Sequence, residues 1–321
     1  MKHKKLFARI EKININNSSQ WVLVRGNSID APLLIHVQQG PGFPMISEAR
    51  EMGKKLHLEN NFLVAYWDQR GCGKSFDKNI RPETISLAQM ADDIIACAKY
   101  LLKKYNKNKA VLVGYSIGAT ASLMAAAKDS SNFSTIFAVG IDVDIPYADK
   151  YALHFAMDKA VAANNKKLAQ EIDDLKKQPI VDAKKFQQRA KILTNLGGIK
   201  TGNNYNSLVL DTVKHVLFSK YYGIGGLLKM MKGIEFCQNA LLPELSGLDL
   251  FKKVTKVNLP VHFMQGSLDA IAPPLRGKAY YDQFQATDKS FTAFEKSAHS
   301  PHFEEPEKFS RLVKSILLKQ N

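Results

Sequence analysis

The chain has 321 residues, 45% of them hydrophobic and 23% charged, a composition ordinary for a soluble globular protein with a sizeable core. Its formal charge of +15 is scattered over lysines of helix-like stretches such as 164–167 and 174–177. With no nucleic-acid-binding motif present, this reads as solvated helix faces, and no nucleic acid is expected as a partner.

The length exceeds one average domain, and a large α/β domain with an insertion accounts for it. Cys72, Cys97 and Cys237 form an odd, widely spaced set. They offer neither metal-ligand spacing nor a disulfide framework, so no metal, no cofactor and a reducing compartment are expected. The start, Met1 to Lys5, is basic, but Leu6 to Asn17 is interrupted by charged and amide residues and contains no apolar leader segment. No stretch reaches membrane-spanning length. A cytoplasmic protein without a membrane partner is expected.

In chain order, Leu6–Ile10 and Gln20–Arg25 alternate like half-buried strands, with Asn16–Ser19 as the turn between them. Pro32–Val37 reads as a buried strand running into Gln38-Gln-Gly-Pro-Gly42. Ser47–Leu56 is helical in pattern. Phe62–Trp67 is the next strand and leads into Asp68-Gln-Arg-Gly-Cys-Gly-Lys-Ser75. Leu87–Tyr105 has helical periodicity, Ala110–Val113 is a strand, and Ser134–Gly140 is another. Strands alternating with helices predict a parallel, doubly wound sheet with its chemistry at the carboxyl ends of the strands. From Asp142 to Asn258 helical patterns replace the alternation, the mark of a lid inserted between two strands. The sheet resumes at Leu259–Gln265, followed by a helix at Leu275–Phe284, a strand at Ser290–Glu295 and a last helix from Glu305 to Lys319. Residues 1–141 and 259–321 thus form the expected core domain, and 142–258 a helical cap.

The stretch Gly114-Tyr-Ser-Ile-Gly118 follows a buried strand and precedes the small residues Ala119 to Ala127. Glycines on either side allow the backbone to double back and leave Ser116 at the apex, while the next helix aims its first N–H groups at the reaction centre. The N–H of Ile117 and that of Gly40 are the candidate oxyanion donors. A serine hydroxyl is a poor nucleophile near neutral pH and needs a base, itself held by an acid. Asp269, in Gly266-Ser-Leu-Asp269, and His299, before Ser300-Pro301, each follow a predicted strand. His302 is a rival base, but its neighbours suit a structural role. His36 lies mid-strand and reads as a packed core residue.

Ser116, Asp269 and His299 occur in the chain order of α/β-hydrolases. Together with Gln38–Gly42, Asp68–Ser75 and His299-Ser-Pro-His302, they make the chain, from about Gln20 to its end, resemble the proline-iminopeptidase branch of that superfamily. The resemblance implies an α/β-hydrolase fold, a Ser–His–Asp triad and a cap that selects substrate. It also implies that the Asp68–Ser75 loop braces the active-site end of the sheet. Cap carboxylates that hold a free substrate amine would be Glu235 and Glu244. Two positions depart from the family pattern: Gln38-Gln39 stands for His-Gly, and Ile117 for the usual tryptophan.

The expected activity is hydrolysis through an acyl-enzyme, with an N-terminal peptide bond of a short peptide as the target. The alternatives are a small carboxylic ester as substrate, or a non-catalytic binding protein on the same scaffold. Epoxide or haloalkane opening generally uses an aspartate where Ser116 stands.

Overall fold

The computed structural model describes residues 6–177, 179–202 and 204–318. The basic start, Met1 to Lys5, and Lys319 lie outside them. Strands β1 (Phe7–Ile15) and β2 (Ser18–Gly26) form a hairpin closed by Asn16 and Asn17, both at positive φ (45° and 57°), where asparagine is tolerated. β1 runs past the expected Ile10 because Ile13 and Ile15 are buried while Asn14 between them faces out, the alternation of an edge strand.

β3 (Leu33–Val37), α1 (Ala49–Leu56), β4 (Leu63–Asp68), α2 (Leu87–Tyr105), β5 (Ala110–Tyr115), α3 (Ile117–Lys128) and β6 (Phe133–Val139) follow. With β7 (Val261–Gly266) and β8 (Lys289–Phe294) they make a sheet in the order β1-β2-β4-β3-β5-β6-β7-β8. β2 pairs antiparallel with both β1 and β4, and every other pairing is parallel. β3, β4 and β5 are buried along their whole length. Helices on both faces exclude water there, which is why these strands read as continuous apolar runs rather than alternating ones. α2 and α3 pack on one face through Leu87, Ile94, Leu101 and Leu123. α1 packs on the other through Met52 and Leu56, beside Phe309 and Val313 of the last helix.

Between β6 and β7 come α4 (Ile145–Ala162), α5 (Lys166–Lys176), α6 (Ala183–Asn195), α7 (Tyr205–Leu217), α8 (Gly223–Leu245) and α9 (Leu250–Lys253), with no named strand among the described residues. Asp144, Asn165, Asp182 and Asn204 each cap a helix start with a side-chain acceptor. α4, α5 and α6 share a small core of their own around Leu153, Ile172 and Leu193. α8 instead sends Cys237, Leu241 and Leu245 into the main core. α10 (Pro274–Gln283) joins β7 to β8. A one-turn helix, α11 (Pro301–Glu304), which the sequence pattern does not predict, precedes α12 (Pro306–Leu318), the last helix expected from Glu305. Pro306 ends α11, since the residue before proline is pushed out of helical geometry. Among the described residues no helix is long and apolar enough to cross a membrane.

Candidate active site

Ser116 sits between β5 and α3 at φ 53°, ψ −125°, a strained backbone for a residue with a side chain. Its glycine neighbours permit this. A Cβ on Gly114 would lie 2.6 Å from Ala119 Cα, and one on Gly118 only 2.2 Å from the Gln38 carbonyl oxygen. The Ser116 N–H donates to Val139 O at 2.8 Å, tying the elbow to β6. Among the described residues the N–H groups of Ile117 and Gly40 meet no protein acceptor. The first follows from its place in the opening turn of α3.

The turn after β3 is fixed by the side chain that replaces the family's histidine. Gln38 is buried, donates through Nε2 to Cys72 Sγ at 2.7 Å and accepts from the Gln69 N–H at 3.3 Å. The loop after β4 is fixed by Asp68. Its carboxylate accepts the N–H groups of Met45 (2.8 Å), Ile46 (2.9 Å) and Lys74 (2.9 Å) and the hydroxyl of Tyr222. Burial pushes the Asp68 carboxyl above the usual range, and these donors act against that.

At the ends of β7 and β8, Asp269 and His299 come together, with His299 Nδ1 2.8 Å from Asp269 Oδ2. An ionised carboxylate only accepts, so Nδ1 carries a proton, and in the neutral ring Nε2 is the unprotonated nitrogen. Asp269 is itself held by the N–H groups of Ile271 (2.8 Å) and Ala272 (2.9 Å) and by Gln265 Nε2 (3.0 Å). The histidine loop is pinned from below by the acidic pair after it. Glu304 accepts from the N–H groups of Ala298 and Ser300, each at 3.1 Å, and Glu305 from the Ser297 hydroxyl at 2.7 Å. Burial disfavours the charged imidazole of His299, but the carboxylates of Asp269, Asp142 and Glu304 outweigh it and push the pKa up to about 9.

His302 is buried, with its ring against Tyr115 and Phe303. Burial and the neighbouring histidines hold its pKa well below the ordinary value. His36 is packed between Tyr66 and Tyr115 and bonded to the Tyr115 hydroxyl at 2.9 Å. Both have the structural surroundings expected of them.

Asp142 is a functional candidate that the sequence pattern does not point to. It lies in the loop after β6, buried, and its Oδ2 accepts the Ser116 hydroxyl at 2.8 Å. Ser116 therefore bonds to Asp142 and not to His299 in this structure. The available signal is an acidic residue two positions after Gly140, at the carboxyl end of a parallel strand. Glu235 and Glu244 are not brought to this group. Glu235 is exposed on α8, and the Glu244 carboxylate accepts the Leu87 N–H at 3.0 Å, at the start of α2.

Comparisons with known proteins show the family and the fold. Over 317 residues the chain is 28% identical to the probable aminopeptidase YbaC of Bacillus subtilis (strain 168), covering 97% of this chain and 96% of that one. Among solved structures it is similar to a proline iminopeptidase-related protein of Thermus thermophilus (TM-score 0.67, 16% identity, 97% and 98% of the two chains). It is also similar to an esterase of Exiguobacterium antarcticum (TM-score 0.62, 17% identity, 95% and 98% of the two chains). The family model described as alpha/beta hydrolase fold matches residues 32–306, and the chain belongs to that family.

Proposed function

We propose that this α/β hydrolase is a serine hydrolase in which Ser116 is the nucleophile, His299 its base and Asp269 the acid that orients the base. The reading is carried by the 2.8 Å bond from His299 Nδ1 to Asp269 Oδ2, made after β7 and β8 at the same carboxyl edge of the sheet as the strained Ser116 elbow after β5. Rotation of Ser116 about χ1 turns its hydroxyl from Asp142 toward His299. The Oγ–C bond then forms as the proton passes to Nε2, and the N–H groups of Gly40 and Ile117 receive the oxyanion. Collapse breaks the C–N bond, and the leaving amine takes the proton from Nε2. Water, deprotonated by the same nitrogen, releases the acid and restores Ser116.

The substrate class is a short peptide with a free N-terminus. The similarity to a probable aminopeptidase along nearly the whole chain supports it. Residues 142–258 act as the cap over a core of 1–141 and 259–321. The free thiols of Cys72, Cys97 and Cys237 fit a reducing cytoplasm.

The test is labelling of the wild type by a fluorophosphonate, together with turnover of a prolyl anilide and of short acyl esters. Ser116→Ala is expected to abolish labelling and all turnover. Retained turnover in that variant sinks the mechanism. Turnover of esters alone assigns the carboxylesterase alternative, and no labelling at all the binding protein.

A further inference from the structure

We infer that Asp142 is the seat of the substrate's α-ammonium group, and that it holds the Ser116 hydroxyl until that cation arrives. The inference rests on the serine-hydrolase reading above and adds the subsite that selects an aminoacyl substrate over a plain acyl one.

The geometry is short-range. In a peptide with a free N-terminus, a single carbon separates the ammonium nitrogen from the carbonyl carbon under attack. A carbonyl carbon in attack position lies about 3–3.5 Å from the serine oxygen. Asp142 Oδ2 is already 2.8 Å from that oxygen. The site vacated by the Ser116 hydroxyl as it turns to attack is thus close enough for an ammonium on the adjoining carbon to reach the Asp142 carboxylate.

The charges around Asp142 point the same way. At the elbow it accepts the Ser116 hydroxyl, and its main-chain carbonyl accepts the Thr120 hydroxyl of α3 at 2.6 Å. The His299 imidazole and the Asp269 carboxylate, in the loops after β8 and β7, and the Arg189 guanidinium of α6 lie near enough to act on its charge. Arg189 is already ion-paired with Asp149. Burial pushes the Asp142 carboxyl up, and His299 opposes this most among its neighbours. Among the neighbouring charges, His299 is thus the one that most favours an ionised Asp142.

A protonated imidazole cannot act as a base. An incoming ammonium takes over as the counter-charge, displaces the Ser116 hydroxyl from the carboxylate, and removes one of the three carboxylate charges that keep His299 protonated. Binding of the correct substrate thus frees nucleophile and base together. A neutral acyl ester brings no cation and finds both still held.

The experiment compares alanine phenyl ester with propionate phenyl ester, which differ only in the ammonium group, on wild type and Asp142→Asn. The wild type is expected to prefer the alanine ester. Asp142→Asn is expected to lose about 100-fold of that preference, mainly through KM, the scale for removing one partner of a buried charge contact. Its turnover of propionate ester at pH 7 is expected to rise, with the acidic limb of kcat/KM moved to lower pH. A variant that keeps the wild-type preference overturns the inference, as does one that loses both esters in parallel with no movement of the limb.

A second measurement needs no variant. Methylammonium is expected to speed fluorophosphonate labelling of the wild type at pH 7, and a flat or slowed response overturns the latch. Failure of the hydrolase reading itself shows differently, as a wild type that is not labelled and a Ser116→Ala variant that still turns over ester.

Discussion

Arg70 grips Asp93 with two hydrogen bonds, Nε to Oδ2 at 2.8 Å and Nη2 to Oδ1 at 3.0 Å. Both side chains are buried. The same carboxylate accepts Gln20 Nε2 at 2.8 Å, Gln89 Nε2 at 2.9 Å and Asn16 Nδ2 at 2.8 Å. One aspartate on α2 thus joins the β1–β2 hairpin to the loop after β4. Removing one partner strands a buried guanidinium, so Asp93→Ala is expected to lose about 3–5 kcal/mol of stability. Urea unfolding checks this. Arg70→Met combined with Asp93→Leu should recover most of the loss, because a neutral pair leaves no charge unpaired.

Much of the fold and the site is legible in the sequence. Ala110–Val113 and Phe62–Trp67 read as buried strands because both faces of the sheet are covered there. Gly114 and Gly118 mark the elbow because a Cβ at either position has no room. Asp269 and His299 are legible because each closes a strand, and the structure bonds them. What the sequence hides has physical causes too. Asp93 lies mid-helix, where an acidic residue normally faces water, and only the distant Arg70 justifies its burial. Asp142 coincides with the onset of the helical insertion and reads as a boundary. Glu235 and Glu244 follow from analogy with a cap, but a helix pattern does not reveal which face meets the serine.

Gly266 closes β7 beneath the histidine loop. A Cβ there would lie 1.8 Å from Ala298 O and 2.6 Å from Ser297 O, both backbone atoms that cannot rotate aside. Gly266→Ala is expected to push His299 off Asp269 and out of line with the Ser116 elbow. A displacement near 1 Å at a reacting group costs about 100-fold in kcat. Steady-state kinetics on a short acyl ester should show kcat falling with little change in KM. A variant with wild-type kcat would mean that the loop relaxes without moving the imidazole.

Tyr222, at the threshold of α8, donates its hydroxyl to the buried Asp68 carboxylate, and Lys74 Nζ donates to the neighbouring Tyr221 carbonyl at 2.7 Å. These two contacts fasten the helical insertion to the loop after β4. Tyr222→Phe removes a hydrogen bond to a charged acceptor and is expected to destabilise by about 1.5–3 kcal/mol. The larger effect should be local: amide exchange in the first turns of α8 is expected to speed up well before exchange in β5. Equal acceleration in both places would mean that the insertion does not open by itself.

His299 couples stability to pH in the direction opposite to activity. Burial works to lower its folded pKa, but Asp269, Asp142 and Glu304 push it up to about 9, above the ordinary value of 6.5. A raised pKa means that the folded state holds the proton more tightly than the unfolded chain. The resulting stabilisation is fully present below pH 6.5 and fades as pH rises through about 9. For a buried imidazole it is on the order of 3 kcal/mol. In the proposed mechanism activity runs the other way, since only neutral Nε2 would accept the serine proton, so kcat/KM for a neutral acyl ester should climb between about pH 7 and 9. Urea midpoints of wild type and His299→Gln, compared at about pH 6 and pH 9.5, isolate the first effect. The wild-type advantage on the acid side is expected to shrink on the alkaline side. An advantage that stays constant across that window would mean that folding leaves the histidine's pKa at its ordinary value, and the climb in kcat/KM up to about pH 9 should then be absent as well.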